Sequence, residues 1–383
     1  MAKKIKGASN PSISDRALNR ATLARQMLLR REKATPVAAI ERLAGMQAQL
    51  ARPPFVGLWS RIHGFRAADL IEAVDCRDVV RGTLMRGTLH LVSRKDFLAF
   101  RAALQPVLAA GLQAILKDRA GALDIDGLVD AARSYFGEEP RTFAELRAHL
   151  ISRFPKADER AMGYAVRMHL PLVQTPQAGS PWAYPASSDF AVADAWLGAA
   201  LKKPDASAMA LRFLAAYGPA RPDDLKTWSG LANAREVFES LRPQLLVFSD
   251  ERGREIFDLP KAPRPDQDEP VPVRFLPEFD SVLLAYAERT RVIAKDHRPH
   301  VASKNLFVPA TFLVDGMAAG IWRVERKRKS AALVVQPFVP IAKNTRAELE
   351  AEGDTLLRFM EPDADAFSVV WPSKTLARPP KSA

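Results

Sequence analysis

The sequence predicts an α+β fold of three tandem units of winged-helix type, each two helices and a hairpin, followed by a small C-terminal β domain. Three observations carry that prediction. Apolar residues at helical spacing give way to β-branched ribbons three times along the chain. A Pro- and charge-rich stretch, 260–272, then separates these units from a series of short strand-like segments. Finally, 383 residues suffice for two or three compact units rather than one.

The first unit covers 14–100. Leu18, Leu23, Met27, Leu28, Ile40, Leu43 and Met46 recur at helical spacing, and 79–92 reads as a two-stranded ribbon with Gly82 and Gly87 as turn candidates. A helical linker, 101–139, contains a helix around 104–116. The second unit, 140–192, opens on a capping box, with Thr142 as N-cap and Glu145 at N3 of a helix through Leu150. A second helical run reaches Met168, and 172–184 reads as strand, Gly/Ser/Pro turn and strand. The third unit, 193–260, begins with a connecting helix over 193–201. Arg221-Pro222-Asp223-Asp224 places proline and acids in a first helical turn, and a further helix covers 233–241. Strands at 245–248 and 256–259 flank a polar turn. The last domain, 261–372, shows strand-like runs at 273–276, 311–314, 321–324 and 333–335, with Asp315-Gly316 as a type I′ hairpin signal. A helix over 346–359 and a strand over 367–370 close it, and the termini, 1–10 and 374–383, read as mobile.

A composition of 48% apolar and 26% charged residues is that of a globular chain, not a disordered one. Lys and Arg number 56 against 44 acids, a net charge of +12. That excess fits a polyanionic partner, because each neutralised phosphate releases a counterion, though charge alone fits a merely basic protein equally well. One cysteine, Cys76, excludes an intrachain disulfide and a Cys-rich zinc or iron–sulfur site, and suits a reducing compartment. His297 and His300 lack an acid cluster beside them, so no metal site is expected. No apolar stretch follows the basic N-terminus, and no run of about 18 apolar residues occurs, so neither a signal peptide nor a membrane span is expected. The expected location is the cytoplasm, on the nucleoid. Rossmann, Walker and G-x-S-x-G signatures are absent, which argues against nucleotide enzymes and α/β-hydrolases.

Gln47-Ala48-Gln49, Leu58-Trp59-Ser60-Arg61 and Arg86-Gly87-Thr88-Leu89-His90 follow one another in the first unit. Phe213–Ala220 and Asp224–Leu231 follow in the third, and Leu276–Asp280, Arg289-Thr290-Arg291 and Val314–Arg323 in the tail. In this order the blocks resemble the AlkZ-type winged-helix DNA glycosylases over nearly the whole chain. The resemblance implies three tandem winged helices forming a C-shaped DNA cradle, plus a C-terminal β domain. It implies a monomer acting on double-stranded DNA with alkylated purines or interstrand crosslinks, without a cofactor. Two departures stand out: Tyr286 and Glu288 occupy positions where the family often has His and Asp. At the motif itself one branch carries Gln-x-Asp, whereas Gln49 places this chain with the Gln-x-Gln branch.

Gln47 and Gln49 are the expected catalytic pair. An amide cannot serve as a general base as a carboxylate can, but it can hold water and donate from its NH₂. That suffices when the leaving group is already activated, as a cationic N7- or N3-alkylpurine is. If the segment is extended, both amides project on one side; if helical, they diverge by about 200°. Arg61, Arg81, Arg86, Thr88, His90, Arg289, Arg291 and Arg323 are the expected DNA-contacting residues, His90 as a site-lining group rather than a base. Arg323 begins the densest basic run, with Arg326, Lys327, Arg328 and Lys329, which reads equally as a solvated hairpin tip. No lysine stands out as a nucleophile, so monofunctional hydrolysis is expected rather than a lyase reaction. The competing expectation is a non-catalytic tandem winged-helix DNA binder, such as a transcription regulator.

Overall fold

The computed structural model describes residues 10–117, 119, 123–301 and 307–372. The expected mobile termini therefore lie outside the described residues, apart from Asn10. Helices and three sheets alternate along the chain in a mixed α+β arrangement.

Strands are numbered along the chain from β1 (Ser12–Ile13) and β2 (Met46–Gln47). With β3 (Val79–Thr83), β4 (Leu89–Ser93), β5 (Leu172–Gln174) and β6 (Phe190–Val192), β2 forms a five-stranded sheet of order β2-β4-β3-β5-β6. The first two expected hairpins are thus halves of one sheet, joined where β3 pairs with β5 through Arg81↔Gln174 and Gly82↔Val173. The return strand of the second hairpin is 190–192, beyond the expected 172–184; the Pro- and Ser-rich 176–188 makes the long excursion between them. Gly82 is not a turn residue. A Cβ there would meet Phe97 at 2.6 Å and the Leu172 carbonyl at 2.9 Å, so glycine permits the close approach of helix Arg94–Ala103 and of β5. The turn instead occupies Leu84–Thr88, with Arg86 and Gly87 both at positive φ.

The third hairpin, β7 (Leu246–Asp250) and β8 (Glu255–Asp258), follows helices Pro222–Ser229 and Ala234–Leu241. Short β1 joins it in parallel, Ser12 opposite Ser249. Helix Ala206–Tyr217, not anticipated from spacing, puts Phe213 and Tyr217 against Trp228 at 5.4 and 5.9 Å between ring centres. This is the middle of the largest apolar core. The capping box forms as expected, with Thr142 and Glu145 bonding each other's backbone N–H at the start of helix Phe143–Arg153. Helix Arg94–Ala103 was likewise not anticipated, whereas helix Ile125–Glu138 lies within the expected helical linker.

The C-terminal sheet has order β13-β12-β11-β10-β9, from β9 (Arg274–Leu276), β10 (Thr311–Val314), β11 (Met317–Lys327), β12 (Ser330–Pro337) and β13 (Ala366–Val370). Asp315 and Gly316, at φ 47° and 76°, make the tight β10–β11 turn that their types predict. Helix Lys343–Met360 covers this sheet with Leu349, Leu356 and Leu357. The domain docks on the first unit: Ser60 Oγ donates to the Phe275 carbonyl, Trp59 stacks on Phe359 at 6.1 Å, and Arg31 pairs with Glu352 at 2.7 Å. That docking brings the chain after β9 against β2. Among the described residues no single helix is long and apolar enough to cross a membrane.

Candidate active site

Helix Pro36–Arg42 ends at Leu43, and the chain reverses through Ala44 and Gly45, both at positive φ. Gly45 is at φ 94°, and a Cβ there would meet Val92 at 2.6 Å, so this position takes glycine for two reasons. The reversal feeds Met46 and Gln47 into β2, where Gln47 lies opposite His90. Ala48 N donates to the Leu89 carbonyl at 2.8 Å and continues the ladder. The segment is therefore extended through Ala48, bends at Gln49, and brings Gln47 and Gln49 to line the same cleft.

The cleft measures about 550 Å³ and is also lined by Arg86, Thr88, Thr227, Phe279, Leu284, Arg289 and Phe307. Gln47 is only 9% exposed. Its Oε1 accepts from Arg86 Nη2 at 2.7 Å, and because a guanidinium only donates, this contact fixes which end of the amide is oxygen. Gln49 is exposed, with its Oε1 accepting from Leu89 N at 3.2 Å. Arg86 also donates to the Trp228 carbonyl, tying the β3–β4 turn to the third unit. Burial, partly offset by Tyr217 and reinforced by Arg289, pushes Arg86 down to about 10, which leaves it charged at neutral pH. Thr88 Oγ1 donates to the Met85 carbonyl at 3.0 Å at the cleft edge.

Arg289 faces the same cleft, and its Nε is buried without a hydrogen-bond partner among the described residues. Burial and then Arg298 lower its pKa. Two guanidiniums and no carboxylate line the cleft, so its interior favours an anion.

The other sequence-named residues are placed differently. Arg61 is buried, with both Nη atoms on Asp280 at 2.9 Å and Nε on the Gln26 carbonyl, so no donor face is left for a phosphate. Arg81 is buried too. Its Nε donates to the Ala48 carbonyl at 2.8 Å and its Nη2 to the Gln49 carbonyl at 3.2 Å, bracing the motif's backbone from behind. Arg291 is buried against Tyr286 and donates to the Pro219 carbonyl at 2.8 Å. His90 is enclosed, its Nδ1 3.0 Å from the Thr88 carbonyl, and burial with help from Arg86 pushes it down to about 3. A neutral, enclosed imidazole offers nothing to a phosphate. Each of these four side chains is buried and bonded within the protein, an arrangement that favours structural roles over the expected direct DNA contact. Arg323 is exposed on β11, paired with Glu325 at 2.7 Å, and does not line the cleft.

Of the two departures, Tyr286 is buried and its hydroxyl donates to the Tyr217 carbonyl at 2.9 Å. Glu288 holds Arg254 at 2.8 Å and also Arg252, both from the β7–β8 turn; these contacts hold its carboxyl down at about 2. Sequence reasoning assigned no role to Thr227, Phe279, Leu284 or Phe307. Three of these belong to or adjoin the blocks around 224–231 and 276–280, which spacing along the chain could not bring to Gln47. No group of three His, Cys, Asp or Glu side chains suited to a metal occurs among the described residues.

A family model described as DNA glycosylase AlkZ-like matches residues 40–359. Among solved structures, the chain is similar to the Streptomyces sahachiroi DNA glycosylase AlkZ, with a TM-score of 0.78 and 20% identity, covering 94% of this chain and 100% of that one. No curated protein matches the chain.

Proposed function

The chain belongs to the AlkZ-like DNA glycosylases, DNA-repair enzymes acting on N-glycosyl bonds, and from that premise we propose a monofunctional hydrolase that excises N7- and N3-alkylated purines from double-stranded DNA. Family membership displaces the non-catalytic regulator. The observation that supports the substrate class is the cleft itself: two amides at its edge, two guanidiniums inside, and no carboxylate in its lining. Nothing there can protonate a leaving purine, so the purine must arrive already cationic. Arg86 and Arg289 would repel that cationic base, which assigns them to a backbone phosphate beside the lesion, with Thr88 at the edge and Arg323 as a more distant contact. Gln47 and Gln49 then hold the sugar and a water.

The same reading takes the three helix–hairpin units as winged helices that cradle the duplex as a monomer. A base tied to the opposite strand cannot be flipped into a closed pocket, so an open cleft suits crosslink unhooking as well. The test is to incubate the protein with an N7-methylguanine duplex and then cleave abasic sites with alkali. Strand breaks at the lesion are expected, and Gln47→Ala should slow single-turnover release about 100-fold, the cost typical of one lost transition-state donor. Intact strands with the wild-type protein would sink the reading; release at an unchanged rate by Gln47→Ala would remove the amide's role.

A further inference from the structure

We propose that Glu278 is the catalytic base of this site, supplying the carboxylate that the Gln-x-Gln motif lacks. The proposal rests on the glycosylase reading above and deepens it. Behind Gln47 lies a second, narrow cavity of about 10 Å³, shared by Gln47, Arg61, Tyr217, Glu278 and Asp280. That is the space of one water molecule. Its lining includes Gln47 and both carboxylates, so a water held there would have polar partners from each.

The two carboxylates differ in what they are free to do. Asp280 is buried and spent: both its oxygens hold Arg61 at 2.9 Å, and Oδ1 also accepts from Val282 N at 3.1 Å. Glu278 is half-buried, and among the described residues its only charged partner within 4 Å is Arg52, at 3.8 Å, too far for a hydrogen bond. Phe279, at φ 61°, turns the chain between them, so that Asp280 points to Arg61 while Glu278 stays at the cavity. Charge gives a second argument. Cleavage builds an oxocarbenium cation at the sugar, and the large cleft offers only cations and neutral groups to it. Among the described residues Glu278 is the carboxylate of this cavity without a close ion pair, and Arg52 at the start of helix Pro53–Trp59 lies beside it without covering it.

The step balances. The C1′–N9 bond breaks with its electron pair going to N9, so the cationic alkylpurine leaves neutral and the charge passes to the sugar. The water forms the C1′–O bond and gives its proton to a Glu278 oxygen, which later releases it to solvent. A cationic nucleotide and water become a neutral base, an abasic sugar and one proton.

Single-turnover release from an N7-methylguanine duplex, measured across pH with wild type, Glu278→Gln, Glu278→Asp and Gln47→Ala, tests this. The carboxylate form is the active one, so the wild-type rate should fall on acidification; the other charged groups facing Glu278 are Arg52, Arg61 and Asp280, with Tyr217 on the same wall. Glu278→Gln should release base about 100-fold more slowly, with DNA affinity and melting temperature unchanged, and its rate should no longer depend on pH in the acid range. Glu278→Asp should keep the acid fall at a reduced rate, which a merely structural residue would not produce. A Glu278→Gln protein that keeps the wild-type rate and acid fall, while Gln47→Ala loses release, overturns the assignment of Glu278 alone. A wild-type protein that releases no base overturns the glycosylase reading and this proposal together.

Discussion

His90 is enclosed directly opposite Gln47, and its protonation is the cost that acid imposes on this site. Its usual value near 6.5 holds in the unfolded chain, whereas the folded chain resists the proton down to about 3. Below about pH 6.5 the unfolded state therefore binds more protons, so stability is full above that pH and is lost as pH falls towards 3. The loss by pH 5 should be about 2 kcal/mol, at about 1.4 kcal/mol per pH unit. Urea unfolding at pH 7 and pH 5 checks it: His90→Gln should lack this part of the difference, and an equal difference in both proteins would show that the titration lies elsewhere. The ribbon's sequence shows that Arg81, Arg86 and His90 share it, but not which of them stay wet. Arg81 bonds the motif's own carbonyls and Arg86 its side chain, and both distinctions depend on β2 lying beside β4 rather than on spacing along the ribbon.

The reversal through Ala44 and Gly45 decides whether β2 presents Gln47 to the cleft. Gly45→Ala should cost about 2 kcal/mol, from an Ala held at positive φ. Relief of the Val92 clash would also shift β2, so base release should fall by more than stability loss alone explains; denaturant midpoints and single-turnover rates on the same protein separate the two. Elements with strong local signals were legible in the sequence: the Thr142 capping box, the Asp315-Gly316 turn, and the proline-led helix at 222. Glycine was the weak point. Gly82 resembled a turn residue because a glycine in a ribbon marks either a turn or a close neighbour, and the neighbour here, helix Arg94–Ala103, had not been anticipated. Whether the motif is extended was left open by the sequence for the same reason, since the hydrogen bond from Ala48 to Leu89 that extends it past Gln47 ties it to a separate strand.

Across the whole molecule, the N-terminal helix Asp15–Arg25 is clamped to the third unit. Arg25 meets Asp258 at 2.7 and 2.9 Å, both fully buried, and Arg264 from the linker joins them. Asp258→Asn would leave two guanidiniums without their counter-charge, one of them buried. It should cost about 3–5 kcal/mol, the range for breaking a buried pair. Chemical denaturation reads this directly, and a change below about 1 kcal/mol, the level of exposed pairs, would mean that solvent reaches the site. This clamp was beyond sequence reasoning, as was β1, because both join residues more than two hundred positions apart. The same holds for Arg61 and Asp280: each stood in a block that the sequence singled out, yet their pairing is what sets the tail against Gln47.

The joint between β3 and β5 bears on how the protein can be made and divided. A polypeptide stopped after the first unit would end its sheet at β3, leaving Arg81 and Gly82 with the ladder positions that Gln174 and Val173 normally fill. Bare strand edges recruit other strands, so such a piece would pair with its own kind rather than stay single. During synthesis the same edge waits through about ninety further residues for its partner, a window in which a ribosome-bound holdase has something to cover.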